Sequence, residues 1–416
     1  MANLKIGIFG IGIRGMSIAR DLMLLNCDIV AVCDIRDECL KNAVKGLGAD
    51  VAVYKDFASF IEHDMDAVVL ANYFHEHAPY AIKCFEKGLH VYSECISNGT
   101  MAAGVKLIKA FEKSDSVYML AENYPQMIFN REMKRVCAGG TLGQILYAEG
   151  EYNHPIDPKD IEFKKDYNYF EKHWRNYLPR AYYVTHSLGP IMWATGATPK
   201  CVTAFASFSP FEDVVPNASH NGDRVAILTT QNDDGSIFRV TGCAGFGGEH
   251  NSYRICGTNG QIENLRGMGD KVMLRYNPWS KPENLDEINF YTPSWNDSDE
   301  MKIKVSGHGG SDYLTARMFV DCVKSGKQPE YPFDIYGAVA MSSVAILGHR
   351  SMLEGGKPFN IPDFRNENDC KLYENDHLTP FYGTDTNSPN IPCCSHPNYK
   401  PTDAQLKEYK TYLNLK

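Results

Sequence analysis

The sequence predicts an α/β domain with a parallel sheet at the N-terminus, followed by an α+β domain with an open, mostly antiparallel sheet. The first observation is length, since 416 residues are about two to three times a typical domain. The second is that short apolar segments alternate with helix-like segments over the first 120 residues, which is typical of a parallel sheet covered on both faces. The third is that apolar and polar residues then alternate, separated by Gly, Asn and Asp, which indicates antiparallel strands.

The elements can be placed in order along the chain. Apolar segments predict strands in the first domain at 5–9, 29–33, 67–70, 90–92 and 117–120. Helical patterns lie at 17–25, 39–47, 79–87, 101–114 and 127–137. Alternating segments predict strands in the second domain at 144–152, 201–208, 225–230, 237–241, 252–256 and 271–276, with helices at 312–324 and 335–353. The predicted domains are therefore 1–124 and 125–364, and 365–416 is predicted to be an ordered but irregular C-terminal arm.

Composition excludes several classes of protein. A net charge of −9 disfavours a nucleic-acid binder, which needs a basic face, and equally a membrane-surface protein. No apolar segment reaches the roughly 18 to 20 residues of a membrane span, and the first residues lack the features of a signal peptide. We therefore expect a cytoplasmic protein whose 13 cysteines are reduced and mostly buried.

The sharpest local motif is the glycine-rich sequence Gly10-Ile-Gly12-Ile-Arg-Gly15 between the first strand and the first helix. In this context the first glycine makes a tight turn, the second lets the backbone approach a diphosphate, and the third allows close packing of helix and strand. The N–H groups at the helix N-terminus then face the phosphates. The motif predicts a dinucleotide cofactor.

The next strand ends at Asp34, which lies 19 residues after Gly15. This is close to the roughly 20-residue spacing of the acid that binds the adenosine ribose. A carboxylate there accepts hydrogen bonds from the ribose hydroxyls and repels a 2′-phosphate. NAD is thus favoured over NADP, although Arg36 two residues later softens that preference.

Three further strands end at the same crevice, and polar residues follow them at 72–75, 94–95 and 122–123. The pair His75 and His77 has no third ligand nearby, so we do not predict a metal there. Cys95 is a conceivable nucleophile, but nothing in the sequence activates it. The tail residues Cys370, Cys393, Cys394 and His396 also lack the usual ligand spacing, and no metal is predicted in the chain.

The segments GIFGIGIRG, AVCDIRDE, DAVVLANYFHEHAPYAIKCFEKGLHVYSE and AENY resemble the glucose–fructose oxidoreductase/inositol dehydrogenase (Gfo/Idh/MocA) family. Segments 149–155, 182–191, 306–313 and 374–383 resemble the branch that contains NAD-dependent α-N-acetylgalactosaminidases and glycoside 3-oxidising enzymes. The resemblance implies a Rossmann domain followed by an α+β domain whose sheet supports a sugar. It also implies a homo-oligomer.

The resemblance carries specific residues over to this sequence. The family positions that bind NAD fall on Ile13, Arg14, Asp34, Asn72, His75, Glu94, Cys95 and Asn123. The branch positions that contact substrate fall on Tyr152, Tyr183, Thr185 and His186. Most family dehydrogenases carry Glu-Lys-Pro where this chain reads Glu94-Cys95-Ile96, so the lysine that helps to transfer the alcohol proton is absent.

Histidine suits the role of proton acceptor because its unperturbed pKa is about 6.5. We therefore predict His186 and Tyr183, three residues apart, as the catalytic residues. Arg175 beside Trp174 offers a clamp for hydroxyl groups. His308, on a glycine-rich loop before a helix capped by Ser311 or Asp312, either closes over the sugar or has a structural role.

Three functions are consistent with these residues. The first is an NAD-dependent oxidoreductase that acts on a secondary hydroxyl of a sugar or glycoside, at carbon 3. The second is a redox-neutral NAD-dependent glycosidase that works by oxidation, elimination, hydration and reduction. The third is a sensor that binds NAD and sugar without turnover, which the intact Tyr–His pair disfavours.

Overall fold

The computed structural model describes residues 3–157, 159–160, 170–242, 245–383 and 386–413. They form two compact units, each built from several chain segments. The N-terminal unit comprises Met1–Glu132, Pro293–Val339 and Phe364–Glu374. The C-terminal unit comprises Met133–Thr292, Ala340–Asp363 and Asn375–Lys416. The contiguous domain boundaries that the sequence suggests stay a prediction.

A parallel sheet forms the centre of the N-terminal unit, as predicted, and it has six strands. Its strands are β1 (Lys5–Phe9), β2 (Asp28–Cys33), β3 (Ala52–Tyr54), β4 (Ala67–Leu70), β5 (His90–Ser93) and β6 (Tyr118–Leu120). The strand order is β3-β2-β1-β4-β5-β6. Strands β2 and β3 lie on one side of β1, and β4, β5 and β6 lie on its other side. The carboxyl ends of β1 and β4 therefore flank the crevice in which ligands bind in such sheets.

Helices cover the parallel strands because the strands are apolar on both faces; all four residues of β4 are buried. The helices of the first 138 residues are α1 (Ile13–Leu24), α2 (Asp37–Leu47), α3 (Phe57–Phe60), α4 (His77–Glu86), α5 (Met101–Phe111) and α6 (Ile128–Ala138). The later helices are α7 (Thr185–Thr195), α8 (Glu300–Val305), α9 (Ser311–Ser325), α10 (Ile335–Leu353), α11 (Glu367–Lys371) and α12 (Asp403–Tyr412). Within the N-terminal unit α9 packs against α1.

A nine-stranded sheet forms the C-terminal unit. Its strands are β7 (Ile145–Asn153), β8 (Pro199–Phe208), β9 (Asp223–Asn232), β10 (Ile237–Gly242), β11 (His250–Gly257), β12 (Gly260–Asn264), β13 (Val272–Tyr276), β14 (Ile288–Tyr291) and β15 (Phe359–Asn360). The order is β14-β13-β12-β11-β7-β10-β9-β8-β15, and of the neighbouring pairs only β7 and β10 run parallel. The prediction of a mostly antiparallel sheet is confirmed.

Helix α7 lies directly on the central strand β7. A Cβ at Gly150 of β7 would overlap the carbonyl oxygen of Ser187. The Ser187 hydroxyl donates to the carbonyl oxygen of Thr241 on β10 at 2.6 Å. Because no side chain separates helix from strand here, the start of α7 is held close to the end of β7.

The segment predicted as an irregular arm contains the helices α11 and α12. Helix α12 begins with a capping box, in which the Thr402 side chain accepts from the N–H of Gln405 and the Gln405 side chain accepts from the N–H of Thr402. This Thr-x-x-Gln pattern was the available signal for the helix. No helix in the described part of the chain is long and apolar enough to cross a membrane.

Candidate functional site

The glycine-rich turn between β1 and α1 is shaped for close backbone approach. Gly10 has φ +90°, and a Cβ there would overlap the backbone of Ala71 and Asn72. A Cβ at Gly15 would overlap the carbonyl oxygen of Gly10, so helix and turn touch without a side chain between them. Gly12 precedes α1 and leaves its first N–H groups without a side-chain cap. The turn therefore fits a dinucleotide diphosphate.

Asp34 follows β2 and has a side chain that is 10% exposed. One carboxylate oxygen accepts from the N–H of Arg36 at 2.9 Å and lies 3.8 Å from its Nε. Burial raises the pKa of Asp34, while these contacts with Arg36 lower it. A buried carboxylate at this strand end is suited to bind two ribose hydroxyls.

The ends of β4 and β5 supply the next predicted cofactor residues. Both side-chain polar atoms of Asn72 are buried and have no hydrogen-bond partner among the described residues. Such an amide fits a ligand that supplies both a donor and an acceptor. Cys95 is buried and its Sγ donates to Oε2 of Glu122 at 3.2 Å. His75, which lies just before α4 in the sequence, is also buried.

His77 is buried at the start of α4. Its Nδ1–H donates to the carbonyl oxygen of Ile96 at 2.7 Å. Burial lowers the pKa of His77, which favours the neutral ring. Across the ranges that the structure describes, no three His, Cys, Asp or Glu side chains form a set that could hold a metal ion.

Arg14 is the centre of a charged network at this edge of the sheet. Its Nε lies 2.5 Å from Oε1 of Glu94, and its Nη1 lies 3.0 Å from Oδ2 of Asp312. Burial opposes the charge of Arg14, but Glu94 and Asp312 outweigh it and hold its pKa well above the ordinary value. The side-chain amide of Asn123 donates to the other oxygen of Asp312 at 2.6 Å. Asp312 thus joins Arg14 and Asn123, and Arg14 in turn binds Glu94, so three predicted cofactor residues belong to one network.

His308 belongs to the same network. Its Nδ1 lies 2.9 Å from Oδ2 of Asp312, and its ring centroid lies 5.7 Å from that of Tyr124. The sequence predicted Ser311 or Asp312 as the cap of α9, which was wrong: the residue before α9 is Gly310, which has no side chain to cap it, and Ser311 and Asp312 lie in the first turn. The i, i+4 spacing of His308 and Asp312 was the signal for their contact.

Three predicted substrate residues meet in the C-terminal unit. Tyr152 lies near the end of β7, Tyr183 on the 3₁₀ helix Arg180–Tyr183, and His186 in the first turn of α7. The ring centroid of Tyr152 lies 5.8 Å from that of Tyr183 and 5.0 Å from that of His186. The rings of Tyr183 and His186 are 5.3 Å apart. We call Tyr152, Tyr183 and His186 the ring cluster.

Neighbouring groups hold the ring cluster in place. The Tyr253 hydroxyl donates to the carbonyl oxygen of His186 at 2.5 Å. The ring of His154 stacks on Tyr152 with an interplanar angle of 9°. The Thr185 hydroxyl is buried without a hydrogen-bond partner in the part of the chain that the structure describes. Arg175 lies on the 3₁₀ helix Trp174–Tyr177, with its guanidinium 4.4 Å from the Trp174 ring centroid.

Two family profiles match the chain. The profile of the oxidoreductase family with an NAD-binding Rossmann fold (GFO_IDH_MocA) matches residues 4–122. The profile of the glycosyl hydrolase 109 C-terminal domain matches residues 248–369. These matches confirm the predicted resemblance, at the N-terminus to the Gfo/Idh/MocA Rossmann domain and in the C-terminal part to the glycosyl hydrolase 109 branch. The predicted cofactor NAD is confirmed by the first match.

Relatives align with most of the length of this chain. Glycosyl hydrolase family 109 protein 1 of Bacteroides thetaiotaomicron is 23% identical, with 88% of this chain and 85% of the relative aligned. Glycosyl hydrolase family 109 protein of Streptomyces filamentosus is 26% identical, with 87% and 78% aligned.

Solved structures share the fold of this chain. Levoglucosan dehydrogenase with NADH and levoglucosan gives a TM-score of 0.71 at 17% identity, covering 87% of this chain and all of the other. Myo-inositol 2-dehydrogenase from Lactobacillus plantarum gives 0.63 at 19% identity, covering 86% of this chain and 99% of the other. At these identities the likeness establishes the fold alone.

Proposed function

We propose that this chain is an NAD-dependent oxidoreductase that removes hydride from carbon 3 of a sugar or glycoside and gives a 3-oxo sugar. The observation that carries the proposal is the ring cluster of the C-terminal unit. Two phenol rings and one imidazole in mutual contact offer an apolar face to a sugar ring together with polar tips for its hydroxyls. The levoglucosan bound in one structure of similar fold supports the same class of ligand.

The chemistry divides between cofactor and protein. NAD, held by Gly10, Gly12, Asp34 and Asn72, supplies the hydride acceptor when it is bound. His186 accepts the hydroxyl proton, because a neutral imidazole has a ring nitrogen that can take up a proton and return it. Tyr183 beside it donates to a sugar oxygen. Tyr152 packs against the sugar ring, and Thr185 and Arg175 are further proposed contacts.

The family lysine plays no part in this proposal. Cys95 stands at its position and its thiol is engaged by the carboxylate of Glu122. A buried thiol beside a carboxylate is a poor proton acceptor, since the negative charge disfavours the thiolate. The proton must therefore go to another group, which supports the role proposed for His186.

A second candidate function is redox-neutral glycoside cleavage, and the match to the glycosyl hydrolase 109 C-terminal domain favours it. Oxidation at carbon 3 acidifies the hydrogen on carbon 2. Tyr183 or His186 removes that proton, the aglycone leaves carbon 1, water adds to the resulting double bond, and the hydride returns to carbon 3. The cofactor is regenerated, so no outside oxidant is consumed.

Product analysis separates the two functions. The protein is incubated with NAD and a panel of aryl glycosides, and the products are examined by mass spectrometry and at the absorbance of NADH. A glycoside lighter by two hydrogens with stoichiometric NADH supports the oxidoreductase. Free aglycone without net NADH supports the glycosidase. Neither product from any glycoside would contradict both. A homo-oligomer and a cytoplasmic location stay predictions.

A further inference from the structure

Two arginines of the C-terminal unit lie at the same edge of the nine-stranded sheet as the ring cluster. Strands β7 and β10 run parallel and end at this edge, and β9, which is antiparallel to β10, begins there. Arg224 is the second residue of β9. Arg180 is the first residue of the 3₁₀ helix whose last residue is Tyr183. The ring cluster and both arginines therefore share one end of the sheet.

The 3₁₀ helix that carries Arg180 is seated directly on the sheet. A Cβ at Gly242 of β10 would overlap the carbonyl oxygen of Arg180. The Nε of Arg180 donates to the carbonyl oxygen of Asp223, the residue before Arg224, at 2.8 Å. Residues three apart in a 3₁₀ helix lie on the same side of it, so Arg180 and Tyr183 face one way, and the two residues between them are buried. Arg180 thus links the helix of the ring cluster to the start of β9.

The terminal nitrogens of both guanidinium groups are available to a ligand. Arg224 donates through Nε to the carbonyl oxygen of Ser209 and lies over the ring of Phe211. Both arginines are half-buried, and among the described residues neither bonds through Nη1 or Nη2 and neither forms an ion pair. Burial and the charge of Arg180 lower the pKa of Arg224, so the two guanidinium groups are close enough to repel each other. An anion between them would relieve that repulsion.

Two carboxylates at this edge are bonded to other groups. Asp223 precedes Arg224, but its two oxygens accept from Ser395, one from the backbone N–H at 2.8 Å and the other from the hydroxyl at 2.5 Å. Glu249 lies 3.0 Å from Nδ1 of His154, the histidine that stacks on the ring cluster. Neither of these carboxylates neutralises the two arginines.

We propose that Arg180 and Arg224 bind an anionic group of the substrate, a carboxylate or a phosphate, so that the chain acts on an acidic sugar or glycoside. This inference deepens the proposed function and rests on it. The planar fork of an arginine matches the paired oxygens of such an anion. Strands β7 and β9 are separated by β10 alone, so they lie about 10 Å apart, within reach of a sugar with one charged substituent. The sugar ring lies on the ring cluster and its charged substituent at the arginines.

The test uses matched sets of aryl glycosides that differ only at carbon 6, which carries a hydroxyl, a carboxylate or a phosphate. Uronic acids and sugar 6-phosphates carry their charge at this carbon. The gluco, galacto and manno sets are each incubated with NAD, and NADH and released aglycone are both measured. In the set that reacts we expect kcat/KM of an acidic member to exceed that of its neutral counterpart about tenfold or more. The carboxylate and phosphate members show which anion the arginines take.

Substitution of the arginines tests the same site. Arg224→Gln and Arg180→Gln should each lower kcat/KM for the acidic glycoside by about 10–150-fold and leave the neutral one within about threefold, since only the acidic one loses a charged hydrogen bond. Arg224→Lys, which keeps the charge, should restore part of the loss. Turnover of the neutral glycoside also shows that each variant is folded. The matched control is Arg275→Gln, which removes an arginine of the same unit bonded to Glu287 at 3.1 Å and should change neither glycoside.

Two results would overturn the proposal. One is an equal kcat/KM for acidic and neutral glycosides in the unaltered protein. The other is an equal loss on both in Arg224→Gln, because a structural role does not depend on the charge of the substrate. If no glycoside reacts, the proposed function itself is contradicted, and the anion site is then decided by isothermal titration of the free uronic acids and sugar 6-phosphates into the protein with NAD. Binding that Arg224→Gln abolishes supports the site, whereas no binding, or binding that is the same in both proteins, overturns it.

Discussion

Replacing Gly12 with alanine should separate cofactor binding from the stability of the fold. Gly12 has φ −71° and ψ −161°, an extended conformation that alanine adopts without strain. A Cβ there meets one neighbour, Nη2 of Arg36 at 3.2 Å, and that is the mobile end of a long side chain. We therefore expect the free energy of unfolding to change by less than about 0.5 kcal/mol.

The same methyl group should weaken NAD binding strongly. It stands where the backbone must approach the diphosphate, so at least one hydrogen bond from a backbone N–H to a phosphate oxygen is lost. A hydrogen bond to a charged group contributes about 1.5–3 kcal/mol. The dissociation constant of NAD should therefore rise by about 10–150-fold. Isothermal titration with NAD measures it, and urea unfolding of the cofactor-free protein measures stability.

Two further alanine variants define the comparison. In Gly15→Ala the Cβ overlaps the carbonyl oxygen of Gly10, so both stability, by about 1–3 kcal/mol, and NAD affinity should fall. In Gly248→Ala the Cβ meets nothing within 4 Å, so neither should change. An unchanged NAD dissociation constant in Gly12→Ala would refute the reasoning, as would a loss of stability equal to that of Gly15→Ala.

Three other substitutions test the remaining parts of the account. Asp34→Ala should weaken NAD and reduce the preference over NADP by about tenfold or more, since the repelling carboxylate is gone; an unchanged ratio of the two dissociation constants would remove Asp34 from the ribose site. His186→Gln should slow hydride transfer by about 10²–10⁴-fold with NAD affinity unchanged, and turnover near that of the unaltered protein would exclude His186 as the proton acceptor. Asp21 is 4% exposed, and burial raises its pKa to about 6, above its value in the unfolded chain. The free energy of unfolding therefore falls as the pH rises towards 6, and the ionised carboxylate destabilises the native state above pH 6. Asp21→Asn should raise the free energy of unfolding by up to about 3 kcal/mol at pH 8 and by little at pH 4; a gain that does not depend on pH would contradict this.

The parallel sheet could be predicted closely because each long strand is a continuous apolar segment between helices. The segments 5–9 and 67–70 coincide with the observed Lys5–Phe9 and Ala67–Leu70. The strand Ala52–Tyr54 was not predicted, because three residues of alternating exposure carry no periodic signal. It is a strand because it pairs with β2, and this pairing exists only in the folded chain, so the segment's own sequence does not reveal it.

The antiparallel sheet was predicted less completely. Strands Gly260–Asn264, Ile288–Tyr291 and Phe359–Asn360 were missed, and the latter two are the edges of the sheet. Short strands with polar residues resemble loops in sequence, since their conformation comes from pairing with neighbouring strands. The parallel pairing of β7 with β10 could not be predicted either, because it joins segments far apart in the chain.

The candidate site was likewise predicted only in part from the sequence. The glycine spacing was informative because it reflects backbone contacts, which the structure shows at Gly10 and Gly15. The contact of Tyr152 with His186 joins a strand end to a helix start, and only the fold brings these together. The contact of His308 with Asp312 was visible as a spacing, but it depends on left-handed residues whose conformation the sequence did not establish.

The most direct test of the central claim, that this chain oxidises carbon 3 of a sugar with NAD, is to follow the hydrogen itself. Aryl glycosides deuterated at carbon 2, 3 or 4 are mixed with excess protein and NAD, quenched within one turnover, and the cofactor is examined by mass spectrometry. The account predicts deuterated NADH from the carbon 3 label and unlabelled cofactor from the other two. Unlabelled cofactor from all three glycosides would contradict it.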